Sequence, residues 1–194
     1  MSSENPSGAD NQQETAEPCV VLEADWIVGF VDGEGCFCVS VHRNSFMHRH
    51  RGWQLQPSFH VYQHQQHKMI LEACAHFFGC GRVRPKGPNS AVLTYSVEAR
   101  RDLEVVIDFF EKHPLLVKQS DFLAFAEIVR AMRRKEHLTD VGFERLVQLA
   151  YGMNAHGKQR SRSMDSVLAG SSETAREAPA SKRPGTSQAG VEAG

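Results

Sequence analysis

The first apolar cluster along the chain predicts a short helix. Its bulky members are Ile27, Val28, Phe30 and Val31. Because they surround the helix axis instead of following one stripe, the helix is expected to be buried on more than one side. Gly29 and Gly33 stand four residues apart and share a helix face, where missing side chains let a second backbone approach closely. Gly33 and Gly35 are expected to supply the left-handed conformations that end a helix.

Two alternating segments follow this helix, and each predicts a strand with one buried face. The first covers residues 37–43 and the second residues 54–63, with a polar connection at 44–52 between them. The apolar positions of the second strand are Leu55, Pro57, Phe59 and Val61. Pro57 argues for an edge strand or a bulge.

The pattern then returns to the helical period and repeats the sequence of elements. An amphipathic helix is predicted over 66–78 with Gly79 as its stop, and two short strands over 81–86 and 91–97. Further helices are predicted over 98–112, 119–134 and 139–153, the last capped by Thr139. The order α-β-β-α-β-β-α, followed by extra helices, predicts an α+β domain with an antiparallel sheet over residues 20–155. Residues 1–19 have the composition of a disordered acidic tail, and 156–194 that of a basic and then disordered tail.

Charge changes the picture because it is segregated along the chain. The formal net charge is −1, yet residues 1–34 hold eight acids and no base. Residues 35–97 hold seven Lys and Arg, seven His and a single acid, Glu72. This stretch contains all four predicted strands, so the sheet favours a polyanionic partner. A basic face that merely contacts solvent is the alternative.

The polar face of the predicted sheet carries the side chains that commonly read nucleic acid. They are Ser40, His42, Asn44, Gln54, Gln56, His60, Arg82, Arg84 and Lys86. Arg and Lys pair with guanine and Gln with adenine, and a β-ribbon fits the major groove of DNA. The pattern therefore predicts double-stranded DNA as the ligand.

Two carboxylates, Asp32 and Glu34, are left at the C-terminal edge of the first helix. The negative end of a helix disfavours a carboxylate by roughly 0.3–1 kcal/mol. An acid held in such a place often binds a cation. A zinc site built from Cys36, Cys38 and His42 is a weaker idea, because the C-x-C spacing differs from the usual C-x₂₋₄-C pairs.

The cysteines and the apolar runs indicate the compartment. Five cysteines without a CxxC pair favour free thiols in a reducing environment. No apolar run approaches the ~20 residues that a membrane helix needs. The first 18 residues lack the features of a signal or transit peptide. We expect a protein that is neither secreted nor in a membrane, made and acting in a bacterial cytoplasm or inside an organelle.

The run from Ile27 to Gly35 resembles the signature of the LAGLIDADG homing endonucleases, and the order of predicted elements matches their fold. The resemblance covers residues 20–155. It departs at Ile27 and Val28, where the family name spells Leu and Ala, but both positions serve packing.

The resemblance implies roles for individual residues. In proteins with one copy of the motif it implies a homodimer, whose two motif helices pack through Val28, Gly29 and Asp32, with Asp32 also a structural residue. It implies that Glu34 and the Gly33 carbonyl bind Mg²⁺ over the scissile phosphates. Gln63 matches the position that orients solvent, and Lys118 resembles the active-site lysine, although a surface lysine at a helix start is the alternative.

The function that follows is a homodimeric, Mg²⁺-dependent endonuclease that cuts a long pseudo-palindromic DNA site and is encoded in a mobile intron. One alternative is a maturase that binds its host intron RNA. Another is a DNA-binding protein that does not cut, which the intact Glu34 and Gln63 disfavour.

Overall fold

The computed structural model describes residues 20–46, 49–154 and 162–172. The helices found there are α1 (Ala24–Glu34), α2 (Lys68–Phe78), α3 (Arg100–Lys112), α4 (Gln119–Arg133), α5 (Asp140–Gly152) and α6 (Met164–Ser172). The strands are β1 (Gly35–Arg43), β2 (Trp53–His64), β3 (Arg82–Pro85) and β4 (Val92–Val97). The α+β class and the predicted element order are confirmed.

The strands form a four-stranded sheet in the order β1-β2-β4-β3. β4 pairs antiparallel with β2, so that His60 lies opposite Ser96 and Val61 opposite Tyr95. β3 pairs antiparallel with β4, which sets Arg82 opposite Ser96. Because side chains alternate along strands, the residues His60, Ser96 and Arg82 form a polar row across the sheet. Val61 and Tyr95 belong to the neighbouring apolar row.

The chain divides into two compact units, and β1 and β2 contribute residues to both. The first unit comprises the described residues of Met1–Phe37 with Ser58–Ser120, and the second those of Cys38–Pro57 with Asp121–Gly194. No helix in the described ranges is long and apolar enough to cross a membrane.

The core of the first unit is aromatic. Phe59 is fully buried, and its ring centroid lies 5.2 Å from that of Phe37 and 6.1 Å from that of Phe110. Ile27 and Val31 of α1 are also fully buried. This core holds α1 against its own unit along one side of the helix.

In the second unit, α5 packs on the turn that precedes β2. The predicted cap is present, since the Thr139 hydroxyl accepts a hydrogen bond from the Gly142 N–H at 3.1 Å. His50 stacks on the buried Phe143 ring, with centroids 4.2 Å apart. Its Nε2 donates to the His137 carbonyl at 2.9 Å.

Three expectations about the elements are wrong. Gly33 and Gly35 are not left-handed: Gly35 is extended at φ −80°, and it lies so close to α1 that an added Cβ would be 2.6 Å from Val31 Cγ1. The chain therefore passes from α1 into β1 without a turn. Val28 and Phe30 are only half-buried, so this chain buries α1 on one side alone.

The third wrong expectation concerns the start of α3. The helix expected from residue 98 begins at Arg100, which leaves Glu98 outside it. Within the segment 156–194, where the sequence predicts a basic and then disordered tail, the described residues 162–172 include α6. The acidic tail expected over 1–19 lies outside the described residues.

Candidate functional site

Asp32 ties the end of α1 to the segment before α4. Its carboxylate accepts three backbone hydrogen bonds, from Leu116 at 2.7 Å, Val117 at 3.1 Å and Lys118 at 3.0 Å. Burial alone would raise the pKa of the Asp32 carboxyl, but these three donors and the Lys118 charge hold the pKa below its usual value. The structural role expected for Asp32 has a geometric basis: it is a clamp on residues 116–118.

The clamp makes stability depend on pH. We expect Asp32→Asn to lower the free energy of unfolding at neutral pH by an amount on the order of 1 kcal/mol. Because the folded pKa of Asp32 is depressed, the carboxylate stabilises the fold above its ordinary pKa of 3.8, and this stabilisation is lost as pH falls through the folded value. The difference between the two proteins should therefore be largest well above pH 3.8 and shrink as the pH falls below that value, through the lower pKa of the folded state.

Urea unfolding of both proteins across that range measures the effect. Asp25→Asn is the matched control, since Asp25 is an exposed acid in the first turn of the same helix. A difference between wild type and Asp32→Asn that stays constant with pH would contradict an ionised clamp.

Lys118 reaches back from the clamped segment to the carbonyl groups that end α1. Its Nζ donates to the Asp32 carbonyl and, at 3.3 Å, to the Gly33 carbonyl. A cation at a helix C-terminus interacts favourably with the negative end of the helix dipole. The structure therefore brings Lys118 and Gly33 together, two of the residues singled out in the sequence.

Glu34 is the last residue of α1, and its side chain is exposed. No hydrogen bond or ion pair joins its carboxylate to any residue that the structure describes. An unpaired carboxylate beside the Gly33 carbonyl offers two hard oxygen donors, which suit Mg²⁺ or Ca²⁺ better than soft metals. A group of three His, Cys, Asp or Glu suited to a metal is absent from the described residues, which gives the zinc alternative no support.

One face of α1 is open. An added Cβ at Gly29 or Gly33 would meet no atom of the described residues within 4 Å, apart from the backbone of its own helix and its chain neighbours. Beside the clamp, Leu116 is 90% exposed and Val117 78% exposed, although both are apolar. Apolar groups and bare backbone thus lie exposed around the end of α1.

Gln63 lies near the end of β2, opposite Leu93 of β4. It is half-buried and has the strand parity of the core residues Phe59 and Val61. Its Oε1 accepts a hydrogen bond from the His64 N–H at 3.0 Å. Within the described chain, no hydrogen bond joins Gln63 to α1.

The polar face of β2, β4 and β3 forms an open groove in the first unit. It is lined by His60, Tyr62, Arg84, Pro85, Lys86, Thr94, Ser96 and Glu98. The Lys86 ammonium lies 4.6 Å from the centroid of the Tyr62 ring, and the Tyr62 hydroxyl lies 3.1 Å from His60 Nδ1. The three predicted DNA-binding residues His60, Arg84 and Lys86 therefore share one groove.

Glu98 is the residue of this groove that sequence reasoning missed. Its carboxylate pairs with Arg84 at 2.8 Å and with Arg82 at 3.3 Å. The sequence pattern places it at the start of the next helix, just beyond the acid-poor stretch. The strand parity was the available signal, since Glu98 continues the alternation of Thr94 and Ser96 beyond the end of β4.

The predicted DNA-binding residues of the second unit differ in how exposed they are and in whether they are already hydrogen-bonded. Ser40 and Gln56 are exposed, and His42 is half-buried. Asn44 and Gln54 bond to each other, with Asn44 Nδ2 3.1 Å from Gln54 Oε1. A ligand that binds Asn44 Nδ2 or Gln54 Oε1 would have to compete with this hydrogen bond.

Known proteins resemble this chain in sequence and in fold. A family model described as LAGLIDADG endonuclease matches residues 27–129, a range that holds Glu34, Gln63 and Lys118. The solved homing endonuclease I-TnaI is similar at 40% sequence identity and a TM-score of 0.69, over 77% of this chain and 98% of that chain. The archaeal intron-encoded homing endonuclease I-Vdi141I, complexed with DNA, is similar at 30% identity and a TM-score of 0.71, over 77% of this chain and 94% of that chain.

Curated proteins match as well, but they are longer. A probable intron-encoded endonuclease 3 of Neurospora crassa is 32% identical over 127 residues, which are 65% of this chain and 24% of that protein. The chain spans about a quarter of the length of this relative and of two further curated ones.

Proposed function

Since the chain belongs to the LAGLIDADG endonuclease family, we propose that it is a site-specific endonuclease that cuts both strands of a long pseudo-palindromic DNA duplex. The observation that carries this proposal is the end of α1. There an exposed, unpaired Glu34 carboxylate stands next to the Gly33 carbonyl, and the Lys118 ammonium already contacts that carbonyl. Hard oxygen donors of this kind can hold the divalent cation that assists phosphodiester hydrolysis.

Each residue at this point has a proposed task. Glu34 and the Gly33 carbonyl hold a divalent cation, for which we propose Mg²⁺. When bound, the cation polarises the scissile phosphate and lowers the pKa of a coordinated water. Lys118 supplies positive charge where the phosphate gains negative charge. Gln63 orients solvent by hydrogen bonding, after its side chain leaves the His64 N–H that it now accepts from.

A homodimer completes the proposed site, because one chain supplies one such carboxylate and two strands must be cut. The open Gly29–Gly33 face of α1 and the exposed Leu116 and Val117 support a contact between two copies there. Small residues let helix backbones approach closely. A two-fold axis through this contact would present two Glu34 carboxylates to one duplex.

Double-stranded DNA is the proposed partner of the sheet. In the first unit, Arg82, Arg84 and Lys86 bring three cations to the polar face. His60, Ser96 and Glu98 add groups that can accept or donate hydrogen bonds to base edges. Further contacts are proposed from the second unit, namely Ser40, His42, Asn44, Gln54 and Gln56.

We place the protein where it is encoded, in a bacterial cytoplasm or an organelle, and its gene in an intron. Nothing in the geometry favours a maturase over a nuclease.

The direct test is cleavage of the host gene without its intron. A duplex that joins the sequences flanking the open reading frame should be cut in both strands when Mg²⁺ is present, with short 3′ overhangs. The control duplex is the same gene with the intron present. It should resist cleavage because the insertion separates the two half-sites. Equal cleavage of both duplexes, or of neither, would contradict the proposal.

A further inference from the structure

Arg82, Arg84 and Glu98 form an ionic triad on the polar face of the sheet. Arg84 Nη2 lies 2.8 Å from Glu98 Oε1, and Arg82 Nη2 lies 3.3 Å from Glu98 Oε2. Each carboxylate oxygen thus binds one guanidinium. The side chains of Arg82, Arg84 and Glu98 are 62%, 48% and 31% exposed. The triad is therefore assembled before any ligand arrives, yet it remains accessible to one.

Glu98 anchors one end of Arg84 and leaves the other end unused. The same Nη2 atom lies 3.5 Å from the Ser96 hydroxyl. Nε and Nη1 of Arg84 make no hydrogen bond to the described residues. A guanidinium held at one nitrogen presents its remaining donors at a fixed angle, and it loses less rotamer entropy when it binds.

The carboxylate also argues against a phosphate as the ligand of this triad. Phosphate oxygens and the Glu98 carboxylate are both anionic, and juxtaposed like charges are strongly unfavourable. Base edges differ, because they offer donors as well as acceptors. A neighbouring guanidinium and carboxylate can therefore both find partners on a base pair, whereas a phosphate would interact favourably with the guanidinium alone.

We propose that Glu98 makes this groove select a G·C base pair in the major groove. It positions Arg84 to donate to O6 and N7 of guanine, and its free lone pairs accept from the N4 amino group of the paired cytosine. An A·T pair would set the adenine amino group against Arg84 and the thymine O4 or methyl group against Glu98. The inference rests on the proposed DNA-binding function and adds a base preference to it.

Selection from two libraries of DNA duplexes tests this assignment. Each library randomises one of the two half-sites and keeps the other constant. The bound fraction is sequenced for wild type, Glu98→Gln, Arg84→Ala and the double variant. Wild type should prefer G·C over A·T at one position of each half-site by about 5- to 150-fold. Glu98→Gln should lose most of that preference at that position in both half-sites and keep preferences elsewhere. The double variant should show a weaker G·C preference there than Arg84→Ala, because Arg84→Ala leaves the Glu98 carboxylate able to accept from the cytosine amino group.

Glu72→Gln is the matched control. Glu72 pairs with Lys68 on α2 at 2.6 Å, so its replacement also removes one exposed carboxylate and should leave every base preference unchanged. If Glu98→Gln instead tightens binding to all sequences equally, Arg84 contacts phosphate and the inference is overturned while the proposed function stands. A wild-type protein that enriches no sequence and cuts no duplex would overturn both.

Discussion

Replacing Glu34 by Gln should abolish DNA cleavage and leave DNA binding near the wild-type level or tighter. The Glu34 carboxylate is the exposed, unpaired acid at the end of α1, and the amide that replaces it is a poor ligand for a hard cation. Loss of metal-assisted hydrolysis should reduce the cleavage rate by about 10³-fold or more. Binding should survive because the two carboxylates that meet in the proposed dimer repel each other, and the variant removes that repulsion.

Single-turnover cleavage and equilibrium binding, measured on one duplex, separate the two effects. Glu23→Gln is the control, since Glu23 is an exposed acid that precedes α1 and makes no side-chain cap. It should cut and bind like wild type. Cleavage by Glu34→Gln within about tenfold of wild type would refute the assignment of Glu34 as the metal ligand, whatever its affinity for DNA.

Replacing Gly29 by Leu should produce a folded monomer that does not cut. A Cβ at this position would meet no atom of the described residues outside its own helix backbone within 4 Å, so the fold should be unharmed. A leucine in place of a glycine inside a helix should even stabilise the chain by about 0.5–1 kcal/mol. In the proposed dimer, two leucines would separate the helices, and overpacking at both sites should weaken association on the order of 10²-fold or more.

Light scattering after gel filtration gives the mass, and thermal unfolding gives the stability. Gly152→Leu makes the same change at an equally open position at the end of α5, and it should remain dimeric and active. A Gly29→Leu protein that is still dimeric and cuts both strands would mean that the two-fold axis does not pass along this face.

Regular periodicity made most of the fold predictable. The alternation of Leu55, Pro57, Phe59 and Val61 indicated which face of β2 is buried, and all four are buried. Gly79 was expected to stop α2 and does so at φ 63°. Local signals of this kind depend on a few neighbouring residues, which is why the sequence carries them.

Contacts between distant residues could not be read from the sequence. The clamp joins Asp32 to backbone groups that lie 84 to 86 positions later in the chain, and no periodicity encodes such a pairing. The conformation of Gly35 was missed for a related reason, because its need for a bare Cα comes from close packing on Val31 and not from a left-handed φ. Glu98 continues the strand parity of β4, but it also precedes the helical pattern of α3, and that pattern favours assigning it to the helix.

The clamp at Asp32 also bears on when the protein becomes ordered during synthesis. A nascent chain that ends before residue 116 already contains Glu34, but it lacks every backbone donor that binds the Asp32 carboxylate. Contacts of such long sequence separation form late, because the intervening chain must first lose its loop entropy. The end of α1 therefore reaches its final geometry only after α3 has been translated. Incomplete chains carry the acid without the structure that holds it in place.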